Sequence, residues 1–151
     1  GALKEELSEL RQAGQHVIEA VKGVKHLNKN LTRFMRSDNV QIRKEYDRLR
    51  WVVVRVLRRI EEQRSKAEEP DSVFSLDKIK IDIEKKLTEI NSDLDSLIRE
   101  QKINVQMATS LMNDISYCRE ISQHLVDAGE LLFSAIKLDD SVPIEEAQLP
   151  A

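Results

Sequence analysis

The chain has 151 residues, of which 34% are charged and 4% are aromatic, and its formal net charge is −3. This length favours one domain, and the excess of charged over aromatic residues is typical of a protein built from long helices. A single cysteine excludes an internal disulfide, and no apolar run approaches the roughly 20 residues that a membrane span needs. Residues 1–66 are net basic and residues 67–151 net acidic.

The first predicted helix covers about residues 3–36. Its apolar residues repeat at alternating steps of three and four, which is the coiled-coil repeat. This first row consists of Leu3, Leu7, Leu10, Gly14, Val17, Val21, Val24 and Leu31. A second row beside it consists of Ala13, Ala20, Leu27 and Phe34. Two adjacent rows predict two partner helices, and Gly14 and Gly23 would let a neighbouring helix approach closely.

Basic residues follow the outer side of the first two helices. No aromatic residues are interleaved with them, which disfavours single-stranded nucleic acid as a partner. A solvated face is one interpretation, and contact with an anionic surface such as lipid headgroups is the other. The candidates for that contact are Lys22, Lys25, Lys29, Arg33, Arg43, Lys44 and Arg48.

The second helix is predicted over about residues 40–64, after N-cap chemistry supplied by Ser37-Asp38-Asn39. The short connection predicts that it runs antiparallel to the first. The segment Leu49–Ile60 is apolar on most of its circumference, so we expect it to lie at the centre of the bundle. A buried strand over Trp51–Val56 is the alternative, because β-branched residues favour strands.

The third helix is predicted over about residues 76–101 and the fourth over about residues 105–136. Asn104 is the expected N-cap of the fourth helix. One continuous helix is the alternative, since no glycine or proline marks the break. The row of the third helix is Leu76, Ile79, Ile83, Leu87, Ile90, Leu94 and Leu97, and that of the fourth is Leu111, Ile115, Cys118, Ile121, Leu125, Ala128, Leu132 and Ile136.

Two further segments lie outside these helices. Pro70 interrupts helical continuity, and Val73 and Phe74 are expected to anchor the linker that contains it. Residues 139–151 are acidic and contain two prolines, so we expect a loose tail. The predicted domain is therefore 1–138.

The sequence shows no nucleophile–base arrangement, no glycine-rich phosphate loop and no CxxC or HExxH spacing, so we expect neither an enzyme nor a cofactor. Glu89 and Asp93 stand one turn apart and are weak candidates for a cation site, with a solvated pair as the preferred interpretation. Cys118 is interpreted as a core residue. His124 and Asp127 are expected to form a hydrogen-bonded surface pair.

Two stretches of the chain carry a family pattern. One comprises residues 19–31 with Ser37-Asp38-Asn39 and Ile42–Arg50, and the other is Met107–Asp114 followed by Tyr117. Both resemble the PhoU-like cytosolic domain that follows the membrane part of bacterial sodium/phosphate cotransporter-family proteins. The resemblance implies an all-α, up-and-down antiparallel four-helix bundle at the cytoplasmic face of the inner membrane. It also implies a regulatory or coupling role in phosphate transport, with the transmembrane part of the same transporter as partner.

PhoU proteins carry paired Glu/Asp-x-x-x-Asp motifs that bind metal clusters, and this sequence departs from them. At that spacing in the fourth helix, Asn113 is followed by Tyr117 and Asp114 by Cys118, so no metal cluster is carried over. The alternative function is a free-standing helical scaffold that self-associates or binds a partner helix. Its signature would be a wide apolar strip left uncovered on the first or fourth helix. A homodimer is compatible with both functions.

Overall fold

The computed structural model describes residues 1–67 and 76–141, which form an all-α bundle of four helices in up-and-down order. No strand occurs within these two ranges. The predicted fold class and helices are confirmed, and the strand alternative for Trp51–Val56 is wrong because those residues lie in a continuous helix. The helices are α1 (Ala2–Phe34), α2 (Val40–Ala67), α3 (Asp77–Arg99) and α4 (Val105–Ser141).

The linker and the end of the chain lie outside the described residues. Pro70, Val73 and Phe74, with the linker anchor predicted for them, belong to this part, and so do residues 142–151. Helix α4 continues through Asp139–Ser141, so it covers the start of the segment expected to form the tail.

Asparagine side chains begin two of the helices, as the sequence predicts. The side-chain oxygen of Asn39 accepts hydrogen bonds from the backbone N–H groups of Gln41 (3.0 Å) and Ile42 (3.1 Å). The side chain of Asn104 accepts one from Met107 (2.8 Å). Each bond satisfies an N–H group that the first helical turn leaves without a partner.

The break between α3 and α4 is real, although no glycine marks it. Gln101 takes the left-handed conformation (φ 54°) that usually falls to glycine at this position. The backbone N–H of Lys102 then bonds to the carbonyl of Leu97 at 3.0 Å, which is the pattern of a Schellman motif. The alternative of one continuous helix is therefore wrong.

Helix α4 is the centre of the bundle, since it packs against each of the other three helices. The sequence places the centre at Leu49–Ile60 of α2, and that prediction is wrong: Trp51 is 48% exposed and Leu57 is 50% exposed. The row predicted for α3 is buried along its full length. Cys118 lies in the core as predicted, and burial raises the pKa of its thiol to about 12.

Helix α1 runs antiparallel along α4. Contacts between them extend from His16 with His124 to Asn30 with Asp114. By contrast, α1 has few contacts with α2 and none with α3 among the described residues.

Small residues allow the close approach of α1 and α4. Ala13 and Ala20, from the second predicted row, are buried, and so is Gly23. A Cβ atom at Gly23 would stand 2.6 Å from Cγ1 of Ile121, a fully buried side chain. The expected role of Gly23 is thus confirmed, whereas nothing lies within 4 Å of the Cβ position at Gly14.

These two glycines predict opposite effects of the same substitution. Gly14→Ala should raise the free energy of unfolding by about 0.5–1 kcal/mol, because alanine favours the helix and meets no neighbour. Gly23→Ala should lower it by about 1–3 kcal/mol, because the fully buried Ile121 must shift to make room for the added Cβ atom. Urea denaturation of both variants beside the parent chain measures the difference. A Gly23→Ala variant as stable as Gly14→Ala would contradict the α1–α4 packing.

Candidate functional site

An apolar strip on α1 is left uncovered, and we call it the α1 strip. Its residues come from the first predicted row, which was expected to face a partner helix. Their exposed fractions range from 42% to 69%. The second row is buried instead, between α1 and the helices α4 and α2. The α1 strip consists of Leu3, Leu7, Leu10, Val17, Val21 and Val24.

The strip lies on the side of α1 that faces α2. Leu31, the last residue of the same row, packs against the hydrophobic core, and close by Phe34 stacks on Tyr46 of α2 with ring centroids 4.9 Å apart. The contacts between α1 and α2 are few, and one of them is the Phe34–Tyr46 stack near the turn, so we infer that α1 separates from α2 towards its amino terminus. The strip therefore lies outside the core along the part of α1 that has separated from α2.

The neighbouring helices extend this apolar surface. On α4, Ile121 lies against Gly23 of α1, and Gly129 lies near Ile60 of α2. At helical spacing, Leu125 and Leu132 fall between these two directions, and both are partly exposed. Because α1 has few contacts with α2, we infer an open groove between them, with Leu125 and Leu132 on its floor.

A buried polar cluster joins α1, α2 and α4 near the other end of that groove. Asp114 is fully buried, and its Oδ2 accepts hydrogen bonds from the Asn30 side chain (2.9 Å) and from the Tyr46 hydroxyl. Its Oδ1 has no partner among the described residues. Burial raises the pKa of Asp114, and it raises that of Tyr46 together with the hydrogen bond to Asp114. The cluster links α1, α2 and α4 through hydrogen bonds between side chains.

Two histidines meet between α1 and α4. Nδ1 of His16 and Nδ1 of His124 lie 2.9 Å apart, so one ring must donate a proton and the other must accept it. The predicted pair of His124 with Asp127 is wrong, because the carboxylate of Asp127 binds Lys80 at 2.9 Å. His26 stacks on Tyr117 of α4 with ring centroids 4.9 Å apart.

The two acids proposed as a weak cation site already face basic side chains. Asp93 accepts a hydrogen bond from Arg48 at 2.5 Å, and Glu45 accepts another from the same guanidinium at 2.9 Å. Glu89 lies 3.7 Å from Lys86. Within residues 1–67 and 76–141, no group of three or more His, Cys, Asp or Glu side chains could hold a metal ion.

The basic candidates divide into two sets. Arg48 is 21% exposed and holds Glu45 and Asp93, and Arg43 is half-buried and donates to the carbonyl of Ser37 at 2.9 Å. This placement does not favour either arginine as a contact for an anionic surface. The remaining candidates are exposed: Lys22, Lys25, Lys29, Arg33 and Lys44.

A cleft of about 410 Å³ opens between α2 and α3. Trp51 lines it, with the guanidinium groups of Arg50 and Arg58 5.8 and 5.5 Å from the centroid of its ring. Arg55 and Lys85 also line it, and neither has an acidic partner in the described part of the chain. The lining is net basic, although it includes Asp82 and Glu89. Sequence reasoning missed this site because its basic residues come from two helices.

Comparisons with protein-family models, with curated proteins and with solved structures find no match to this chain. The resemblance to the PhoU-like domain therefore stays a prediction. None of the four described helices has the length and apolar content needed to cross a membrane.

The buried carboxyl predicts a pH-dependent effect of Asp114→Asn. Because the folded-state pKa of Asp114 is raised, its contribution to stability is present below the ordinary value of 3.8 and is lost as the pH rises through the folded pKa. Asparagine keeps an acceptor for Tyr46 and does not titrate. The variant should therefore gain stability relative to the parent chain between pH 4 and pH 8, measured by urea denaturation.

Asp95→Asn is the matched control, since Asp95 is an exposed carboxyl on α3. The stability of Asp114→Asn should therefore rise relative to that of Asp95→Asn over the same range. If the stability of Asp114→Asn changed with pH in the same way as that of Asp95→Asn, the prediction that burial disfavours the charged form of Asp114 would be wrong.

Proposed function

We propose that this chain is a non-catalytic interaction domain whose α1 strip binds an apolar helix of a partner. One observation carries the proposal: six aliphatic side chains at helical spacing stay exposed along a helix whose other apolar row is buried. An uncovered strip of this kind was the signature expected of a helical scaffold.

Energetic reasoning supports the proposal. Burying a leucine or valine side chain fully is favourable by about 1.5–3 kcal/mol, so the exposed strip forgoes a large stabilisation in the isolated chain. Monomeric proteins rarely expose contiguous apolar patches larger than a few hundred Å², and larger patches mark interaction sites. An amphipathic helix laid against another is a common mode of recognition.

Photo-crosslinking in cells that make this chain tests the proposal. In separate variants, a photoreactive phenylalanine analogue replaces Val17 or Val21, which lie in the strip, or Lys22, which points away from it. We expect one discrete adduct from position 21, seen as a single heavier band, and none from position 22. Failure of positions 17 and 21 to give any adduct would overturn the proposal.

A second candidate function is favoured by a different observation. The net basic cleft between α2 and α3, in which Arg55 and Lys85 have no described acidic partner, suits an anion. Together with the family resemblance, this cleft supports a second interpretation of the chain. It would be a regulatory domain of a sodium-dependent phosphate transporter, at the cytoplasmic face of the inner membrane. Its partners would be the transmembrane part of that transporter and, through the exposed lysines of α1, the anionic membrane surface.

Fluorescence of Trp51 tests this second candidate, because it is the only tryptophan in the chain and it lines the cleft. Titration with inorganic phosphate at constant ionic strength should give a saturable change that chloride does not give. Replacing Arg55 and Lys85 together by glutamine should abolish it. The charge-matched variant with Lys22→Gln and Lys25→Gln should keep the fluorescence change. An equal response to phosphate and to chloride would contradict a phosphate site in the cleft.

A further inference from the structure

We propose that the partner helix is α1 of a second copy of this chain, and that the two α1 strips form a parallel, in-register coiled coil. The inference rests on the proposed function and names its partner. It accounts for the strip, for a polar residue within its row and for the charges beside it.

The spacing of the strip is that of a two-stranded coiled coil. From Leu3 to Leu31 the steps alternate four and three without interruption over four heptads, once Gly14 and Asn28 are included as members of the row. Within the monomer, α1 contacts α4 through the neighbouring row. From Leu3 to Asn28 the heptad row is therefore free to pair with another helix while the bundle stays intact, and only Leu31 packs against the core.

The area of the exposed row is close to that of a stable pair. From Leu3 to Asn28 the row is about 38 Å long, at about 1.5 Å for each residue. A contact about 10 Å wide along this length buries about 380 Å² on each copy, or about 760 Å² in total. The partly exposed Leu125 and Leu132 on α4 lie beside this contact and bring the total towards the roughly 1,000 Å² expected of a biological interface.

Asn28 suits a symmetric pair. It occupies the core position of the heptad between Val24 and Leu31, and its side chain is exposed in the monomer. A single asparagine at such a position pairs with its own copy across the dimer axis, and it fixes the register and the number of strands. A partner of unrelated sequence would leave this amide facing apolar side chains.

The flanking charges select the parallel orientation. In a parallel pair, Glu6 of one copy lies beside Arg11 of the other, and the symmetry makes this attraction twice. In an antiparallel pair that overlaps fully, Lys4 would instead lie beside Lys25 of the other copy, again twice. Opposite charges at these positions stabilise the pair and like charges oppose it.

Sedimentation equilibrium of the purified full chain tests the pairing. We expect a mass twice the 17.4 kDa of the chain at micromolar concentration. Leu10→Glu with Val17→Glu should give a monomer that keeps its helical circular dichroism. Met112→Glu, at an exposed apolar residue on α4 outside the strip, should stay a dimer.

Gly14 offers a variant that strengthens the pair, so the test does not depend on loss of folding. A side chain there meets nothing in the monomer but falls within the heptad row. Gly14→Leu should lower the dissociation constant at least about tenfold relative to Gly14→Ala, because it adds an aliphatic side chain to each half of the interface. Equal constants for the two variants would contradict the proposed contact.

Disulfide trapping tests the orientation. Leu10→Cys should form a disulfide between copies under mild oxidation, because equivalent residues face each other only in the parallel pair. The parent chain and Lys22→Cys should form none, since Cys118 is buried and residue 22 points outward. A dimer that Leu10→Cys does not trap would overturn the parallel arrangement.

A monomer at about 100 μM, or a dimer that the Leu10→Glu and Val17→Glu substitutions leave intact, would overturn the inference. The proposed function fails separately. Suppose that the adduct formed in cells at position 21 instead has a mass that exceeds that of the chain by the mass of another protein. In that case the strip binds a different partner, and only pairing with a second copy is excluded.

Discussion

Close packing between α1 and α4 determines which side of α1 faces water. The two helices approach through a row of small residues, Ala13, Ala20 and Gly23, and at Gly23 the approach leaves no room for a Cβ atom beside Ile121. Because a helix has one orientation about its axis, burying this row turns the larger aliphatic row away from α4. The α1 strip is thus a consequence of the α1–α4 contact.

The position of α2 decides whether anything inside the monomer covers that strip. α2 packs on α4 near Tyr46 and Leu49, which are both fully buried, and the side chain of Arg48 binds Asp93 of α3. It meets α1 mainly near the turn, where Phe34 stacks on Tyr46. The bundle is closed where the polar cluster around Asp114 joins three helices, and it opens towards the amino terminus of α1. A helical bundle open along one side suits a function in binding, which is the role that we propose.

Much of the architecture could be predicted from the sequence. The side chains of Asn39 and Asn104 mark the beginnings of α2 and α4, and the row from Leu76 to Leu97 identifies the buried side of α3 without ambiguity. These predictions depend on local chemistry and on helical periodicity, which contacts distant in sequence do not change. The break at Gln101 was harder to predict, because a glutamine takes a backbone conformation that the sequence pattern assigns to glycine.

The sequence by itself determined that the chain forms four amphipathic helices and that α1 has two apolar rows. Only the tertiary structure decided which row is buried, because both are apolar and the choice depends on how closely α4 can approach. It also decided that Asp114 is buried beside Tyr46, that His124 meets His16, and that basic residues of α2 and α3 line one cleft. Each of these arrangements joins residues from different helices, and their spacing along one helix carries no information about such pairs.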